Sequence, residues 1–132
     1  MSGTALAASY FSPKTEVYGG EPKAADDAFR SFEAKKLIPA DNPKTVADGL
    51  LTSLGTLTFS IILGHVTGIK TCSDERIVSA MRTLWERMKI VVEPSAAVPL
   101  ACILEDPEPW RGRKVGIIVS GGNIDLDRLP WT

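Results

Sequence analysis

The chain has 132 residues, 44% of them hydrophobic and 23% charged, which is one domain's length with enough apolar material for a core. Its formal net charge is −1, from 15 basic and 16 acidic residues without a block of like charge, which excludes the electrostatic footprint of a nucleic-acid or membrane-surface binder. Cys72 and Cys102 have neither metal-type nor disulfide-framework spacing, so a reducing cytoplasm is expected. No basic residue precedes the first short apolar stretch, and FSIILGHVTGI is too short and interrupted to span a bilayer, so a soluble, untargeted chain is expected.

Gly3 to Phe11 is rich in helix formers and ends before Ser12-Pro13, which predicts a short helix. Thr15 to Pro22 predicts a brief strand closing on Gly19-Gly20, and Asp26 to Lys36 returns to a helical pattern. Glu21, Asp26 and Asp27 crowd the strand end. They read as acids favouring the head of a helix, which is the ordinary reading, or as a hard-cation site of carboxylates and a backbone carbonyl. The loop IPADNPKTVADG leads into an apolar segment from Leu50 to about His65, with Asp48-Gly49 before it as the expected N-cap. His65 reads as a solvated residue at that helix's end. Ile69 to Cys72 predicts a second strand, and Ser73 caps the next helix, with Asp74 and Glu75 in its first turn.

In that helix Ile77, Ala80, Met81, Leu84, Trp85 and Met88 recur at three- and four-residue spacing, an apolar face that leaves Arg82, Glu86 and Arg87 outside. The stripe predicts core packing rather than a cofactor box. In VVEPSAAVPLACILED, Pro94 starts a helix, Ser95 is its expected cap, and Pro99 must fall in the first turn or kink it. Glu93 is a carboxylate among apolar residues, either a proton-handling group whose burial raises its pKa or a structural acid.

Val115 to Val119 is apolar at every position, which predicts a strand covered on both faces, as in a parallel sheet between helix layers; the fold class is α/β. That strand stops at Ser120-Gly121-Gly122-Asn123, where ligands gather beyond the carboxyl ends of parallel strands. Two glycines permit positive φ and close backbone approach, and Ser120 offers a directed hydroxyl, although a plain turn has the same composition. No G-x-S-x-G, G-x-x-x-x-G-K-[ST] or G-x-G-x-x-G occurs, which argues against a nucleophile elbow and against the common nucleotide loops.

Taken in order, GGEPKAADDA, TVADGL, LWERMKIVVEPSAAVPLA and VGIIVSGGNIDLDRLPW resemble the C-terminal half of the serine racemase and threonine or hydroxyaspartate ammonia-lyase family. These are pyridoxal-phosphate enzymes of the tryptophan synthase β-subunit-like fold, type II among pyridoxal-phosphate folds. The resemblance implies a partial three-layer α/β/α parallel sheet, with residues 1–132 forming one segment of the large cofactor-binding domain. It implies that Ser120 bonds the pyridine nitrogen, with Gly121 and Asn123 in the same motif, that Asp48 and Gly49 line the cofactor, and that Glu93 lies beside the ring. A neutral hydroxyl on that nitrogen implies a milder electron sink than a carboxylate would. The resemblance also implies magnesium or calcium held by Glu21, Asp27 and the carbonyl of Ala25, and so favours metal over capping. After TF the family usually shows proline and then an acidic pair, where this chain has Ser60 and Thr67-Gly68.

The same family needs a Schiff-base lysine in an S-x-K-x-R-G-A type segment and a glycine run that binds phosphate through backbone N–H groups. None of Lys14, Lys23, Lys35, Lys36, Lys44, Lys70, Lys89 or Lys114 has such a context, and the residues that follow the glycine run in the family resemble MSGTALAA here. The expectation is therefore the C-terminal portion of an ammonia-lyase (dehydratase) or racemase acting on a small hydroxy amino acid, homo-oligomeric when whole and catalytically incomplete as these residues alone. The alternative is a non-catalytic assembly or metal-binding module that pairs with a separate N-terminal polypeptide.

Overall fold

The computed structural model describes residues 1–131. Helix α1 (Ser2–Phe11) leads to strand β1 (Tyr18–Pro22) and helix α2 (Asp27–Ala34). A 3₁₀ turn at Asp48–Leu50 precedes α3 (Thr56–His65), β2 (Gly68–Cys72), α4 (Asp74–Met88) and α5 (Pro94–Glu105). The strands pair in parallel, with Tyr18 opposite Gly68 and Pro22 opposite Cys72. No helix among the described residues is long and apolar enough to cross a membrane.

Two clusters of buried side chains sandwich this small sheet. One joins α4 and α5 to the sheet through Ile77, Met81, Leu84, Val98 and Cys72. The other joins α1, α2 and α3 through Ala5, Phe32, Ile62 and Ile69. Ile69 and Cys72 stand three apart in β2 and go to different clusters, so helices cover both faces as a parallel sheet requires.

Helix α4 forms as its spacing predicts. Ser73 Oγ accepts the Arg76 N–H at 3.3 Å, closing the first turn, and Ile77, Ala80 and Met81 are fully buried. Each large side chain on this face contributes about 2 kcal/mol by leaving water. The stripe ends one turn early: Met88 is 59% exposed, and Lys89, in the left-handed conformation at φ 59°, turns the chain away from the core.

Other expectations change. The apolar segment from Leu50 is α-helical only from Thr56, so Asp48 does not cap α3; it opens the 3₁₀ turn, and Leu51 to Gly55 separate the two. Ser95 does not cap α5, whose N-cap is Glu93, and Pro99 lies inside the helix rather than in its first turn. Asp26, the N-cap of α2, makes no capping side-chain bond; it pairs with Arg30 at 2.8 Å. His65 is exposed in the last turn of α3.

The largest correction concerns Val115 to Val119. These residues form no strand, and Val115, Ile118 and Val119 are 44%, 61% and 37% exposed. The described residues offer β1 only one strand neighbour, β2, and bring no strand edge to this segment.

Candidate functional site

The segment Ser120 to Asn123 is anchored on the turn before α5. Glu93 N–H donates to the Gly121 carbonyl at 3.1 Å, and Glu93 Oε2 accepts the Asn123 N–H at 2.9 Å. The glycines are needed for close approach alone, since neither has positive φ. A Cβ on Gly121 would stand 2.7 Å from Glu93 Oε1, and one on Gly122 would stand 2.8 Å from the Val91 carbonyl oxygen. Glu93 is half-buried rather than sealed in apolar surroundings, and its carboxylate is engaged by this backbone.

The TVADG segment reaches the same place by contacts that sequence patterns do not announce. Asp74 Oδ1 accepts the Thr45 hydroxyl at 2.6 Å, and Asp74 Oδ2 accepts the Val46 N–H at 2.9 Å. Asp74 thus has a second task beyond favouring the dipole of α4. Ser95 Oγ accepts the Gly49 N–H at 3.1 Å, and a Cβ on Gly49 would lie 2.9 Å from that hydroxyl. Gly49 is bonded to Ser95, Glu93 is bonded to Gly121 and Asn123, and the two sets adjoin, since a Cβ on Gly49 would stand 3.9 Å from Glu93 Oε1; Asp48 is exposed beside them.

Trp85 supports the group from behind. It is half-buried and donates its indole N–H to the Val92 carbonyl at 2.9 Å, while its ring meets Trp131 edge to face at 5.4 Å. Sequence periodicity assigns Trp85 to packing and is silent on this bond.

Ser120 is exposed and lines a cavity of about 580 Å³ together with Glu21, Asp27, Leu50 and Ser53. That volume lies within the range of small-molecule sites. The structure therefore brings Ser120 and the acids to one cavity. It sets Glu93 against the backbone beside Ser120 and Gly49 against the Ser95 side chain.

At the acidic end Glu21 performs the capping that Asp26 does not. Its Oε1 accepts the Ala28 N–H at 3.1 Å and its Oε2 accepts the Phe29 N–H at 2.8 Å. In a longer helix the Phe29 N–H would go to the Ala25 carbonyl; here the carboxylate takes it. Burial pushes the Glu21 carboxyl up from 4.5 to about 7, the two N–H bonds oppose this, and the charges of Asp27 and Asp26 add to it. Asp27 is 2% exposed, and its Oδ2 accepts the Leu54 N–H at 3.1 Å. Among the described residues no three His, Cys, Asp or Glu side chains gather as a metal cluster; the expected site has two carboxylates and a carbonyl.

The family profile for pyridoxal-phosphate dependent enzymes matches residues 1–121. The β-hydroxyaspartate dehydratase of Paracoccus denitrificans (strain Pd 1222) is 54% identical over 131 residues, covering 99% of this chain and 42% of that protein. The serine racemase of Schizosaccharomyces pombe is 45% identical over 129 residues, or 97% of this chain and 40% of that protein. Among solved structures, maize serine racemase superposes with a TM-score of 0.90 at 41% identity, covering 96% of this chain and 40% of that one. The chain thus spans about two fifths of the length of these relatives.

Proposed function

Because the chain belongs to the family of pyridoxal-phosphate dependent enzymes and has their type II α/β fold, we propose that it supplies the ring-facing part of the cofactor site of an ammonia-lyase or amino-acid racemase. The substrate class we assign is a small hydroxy amino acid, and residues 1–132 correspond to part of the large cofactor-binding domain. The observation that carries this reading is the Glu93, Gly121 and Asn123 lock, which holds the backbone next to Ser120, whose exposed side chain lines the cavity.

These residues fit the cofactor. When bound, pyridoxal phosphate supplies a ring that delocalises the charge left by loss of an α-proton. Ser120 would hold the ring through its single hydroxyl, a neutral hydrogen-bond partner that would not fix a full positive charge on the ring nitrogen. Glu93 holds the loop rather than moving a proton, since its carboxylate is committed to the Asn123 N–H. Gly49, bonded to Ser95, lets the chain at Asp48 pass close to the site without a side chain in the way.

The acidic corner fits a hard cation. Glu21 and Asp27 are buried carboxylates, and the Phe29 N–H is turned away from the Ala25 carbonyl toward Glu21. Magnesium or calcium held by Glu21, Asp27 and that carbonyl would offset the burial that raises Glu21 and the smaller repulsion from Asp27 and Asp26 that adds to it.

Residues 1–132 alone are proposed to be inactive, since none of their lysines has the Schiff-base context and no phosphate-binding glycine run is present. The test is turnover. The purified chain with pyridoxal phosphate should release no keto acid from serine or threonine, and reading the DNA upstream of Met1 for a glycine run and lysine segment tests whether the missing groups are encoded alongside.

A further inference from the structure

The chain's two cysteines are far apart in sequence and meet in the fold. Cys72 ends β2, and Cys102 lies in the second half of α5. Each thiol donates to the backbone of the other's element. Cys72 Sγ lies 3.9 Å from the Val98 carbonyl oxygen of α5, and Cys102 Sγ lies 3.4 Å from the Lys70 carbonyl oxygen of β2. Val98 is one turn before Cys102 in its helix, so these crossed bonds bring both sulfurs to one seam between sheet and helix. There the two side chains also hydrogen-bond each other directly. Both thiols are free, and the cofactor site uses neither.

Their surroundings give the two different roles. Cys72 is wholly buried, whereas Cys102 keeps 5% of its surface and lines a cavity. The hydrogen bond from Cys72 draws the Cys102 thiol below its ordinary value, against the effect of burial. The same contact, together with burial, pushes the Cys72 thiol up. The thiolate is the nucleophilic form, so Cys102 is the sulfur that meets an oxidant first and Cys72 the one held in reserve beside it.

We propose that Cys72 and Cys102 are a redox site, at which a hydroperoxide oxidises Cys102 and Cys72 then closes a reversible disulfide that ties β2 to α5. In the first step the Cys102 sulfur attacks one peroxide oxygen and the O–O bond breaks. The other oxygen takes up the proton that the thiol released, and Cys102 is left as a sulfenic acid. In the second step the Cys72 sulfur attacks Cys102, the S–S bond forms and the S–O bond breaks. The departing hydroxide leaves as water with the proton of Cys72. Two electrons thus pass from the pair of sulfurs to the peroxide. The bond would clamp together two elements that frame the cofactor site: α5 begins beside Glu93 and Ser95, and Cys72 is followed by Ser73 and by Asp74, which holds Thr45 and Val46. The clamp goes beyond the cofactor reading and stands whether or not the chain binds a cofactor.

The test treats the reduced full chain with a stoichiometric amount of hydrogen peroxide. Digestion with trypsin in the absence of reductant should release residues 71–76 joined to residues 90–111, the segments that hold Cys72 and Cys102. The joined pair should weigh about 2 Da less than its two parts, and dithiothreitol should separate them. The melting temperature of the oxidised chain should rise by about 5 °C or more and return on reduction, because the bond constrains the unfolded chain. Cys72→Ala should instead collect oxygen on Cys102 and label with dimedone, while Cys102→Ala should keep its Cys72 thiol under the same treatment. The joined peptides of the parent decide the pairing even where an alanine variant does not fold. Unreacted thiols in the parent, oxygen added to its cysteines without a link, or a link between two copies would overturn the proposal. So would equal oxidation of Cys72 in Cys102→Ala, or a melting temperature lowered by oxidation.

Discussion

Gly121 sits directly against the Glu93 carboxylate: a Cβ on Gly121 would lie 2.7 Å from both Glu93 Cδ and Oε1, closer than atoms can approach. The Glu93 side chain is itself held by the Asn123 N–H at 2.9 Å, so it cannot yield without breaking that bond. Gly121→Ala is therefore expected to destabilise the chain by about 1–3 kcal/mol, the usual cost of forcing extra volume into a packed place. Gly116→Ala is the control, because nothing lies within 4 Å of its added methyl and its change should stay within about 0.5 kcal/mol. Urea midpoints of the two variants test the contrast, and equal midpoints would refute the lock.

Ser73 accepts the Arg76 N–H at the head of α4, the longest helix. Ser73→Ala should cost about 1 kcal/mol, and Ser73→Asp should restore most of it, since Asp offers the same acceptor. Chemical denaturation of the three proteins decides this, and an Ala variant as stable as the parent would show that the cap contributes nothing.

Glu21 gives the chain a pH-dependent stability of definite sign. Its carboxyl is raised from 4.5 to about 7 by burial, so between those values the folded state binds more protons than the unfolded state. Stability from this group is fully present below about 4.5 and falls as pH rises toward about 7, because ionising the buried acid costs free energy. In Glu21→Gln this slope should vanish, and the variant should also lose one of the two N–H bonds at the head of α2, because the amide NH₂ cannot accept. Melting temperatures across this pH range are the measurement, and an unchanged slope in the variant would assign the dependence elsewhere.

A cation at the acidic corner would act against that same cost. Calcium or magnesium should raise the melting temperature, by stabilisation of about 2.7 kcal/mol at a concentration one hundred times the dissociation constant. Asp27→Asn should remove the effect while keeping an oxygen for the Leu54 N–H. Melting curves unmoved by either cation would leave Glu21 as a helix cap only.

The parts legible in the sequence are those where local periodicity and burial agree. Ile77, Ala80, Met81 and Leu84 recur at helical spacing and are buried, and Ser73 precedes them with a short oxygen at the right distance. The order of the motifs also announces the group that Glu93 and Gly121 join. What stayed hidden depends on partners far away in the chain. Ser95 looks like a cap for its own helix, yet its hydroxyl is taken by Gly49, 46 positions earlier. Asp74 reads as a dipole acid and also ties down Thr45 and Val46. Val115 to Val119 have the composition of a covered strand, and composition cannot say whether the cover lies among these residues; here Ile118 is 61% exposed.

The most direct test of the central claim places Ser120 in a complete enzyme. The matching two fifths of the Paracoccus denitrificans β-hydroxyaspartate dehydratase can be replaced by residues 1–131 of this chain, and keto acid release from β-hydroxyaspartate followed. The chimaera should turn over, and Ser120→Ala should lower kcat by about tenfold or more, the worth of one well-placed hydrogen bond, while shifting the absorption of bound cofactor. A chimaera that folds, binds pyridoxal phosphate and turns over equally well with alanine at position 120 would contradict the assignment of Ser120 to the cofactor ring.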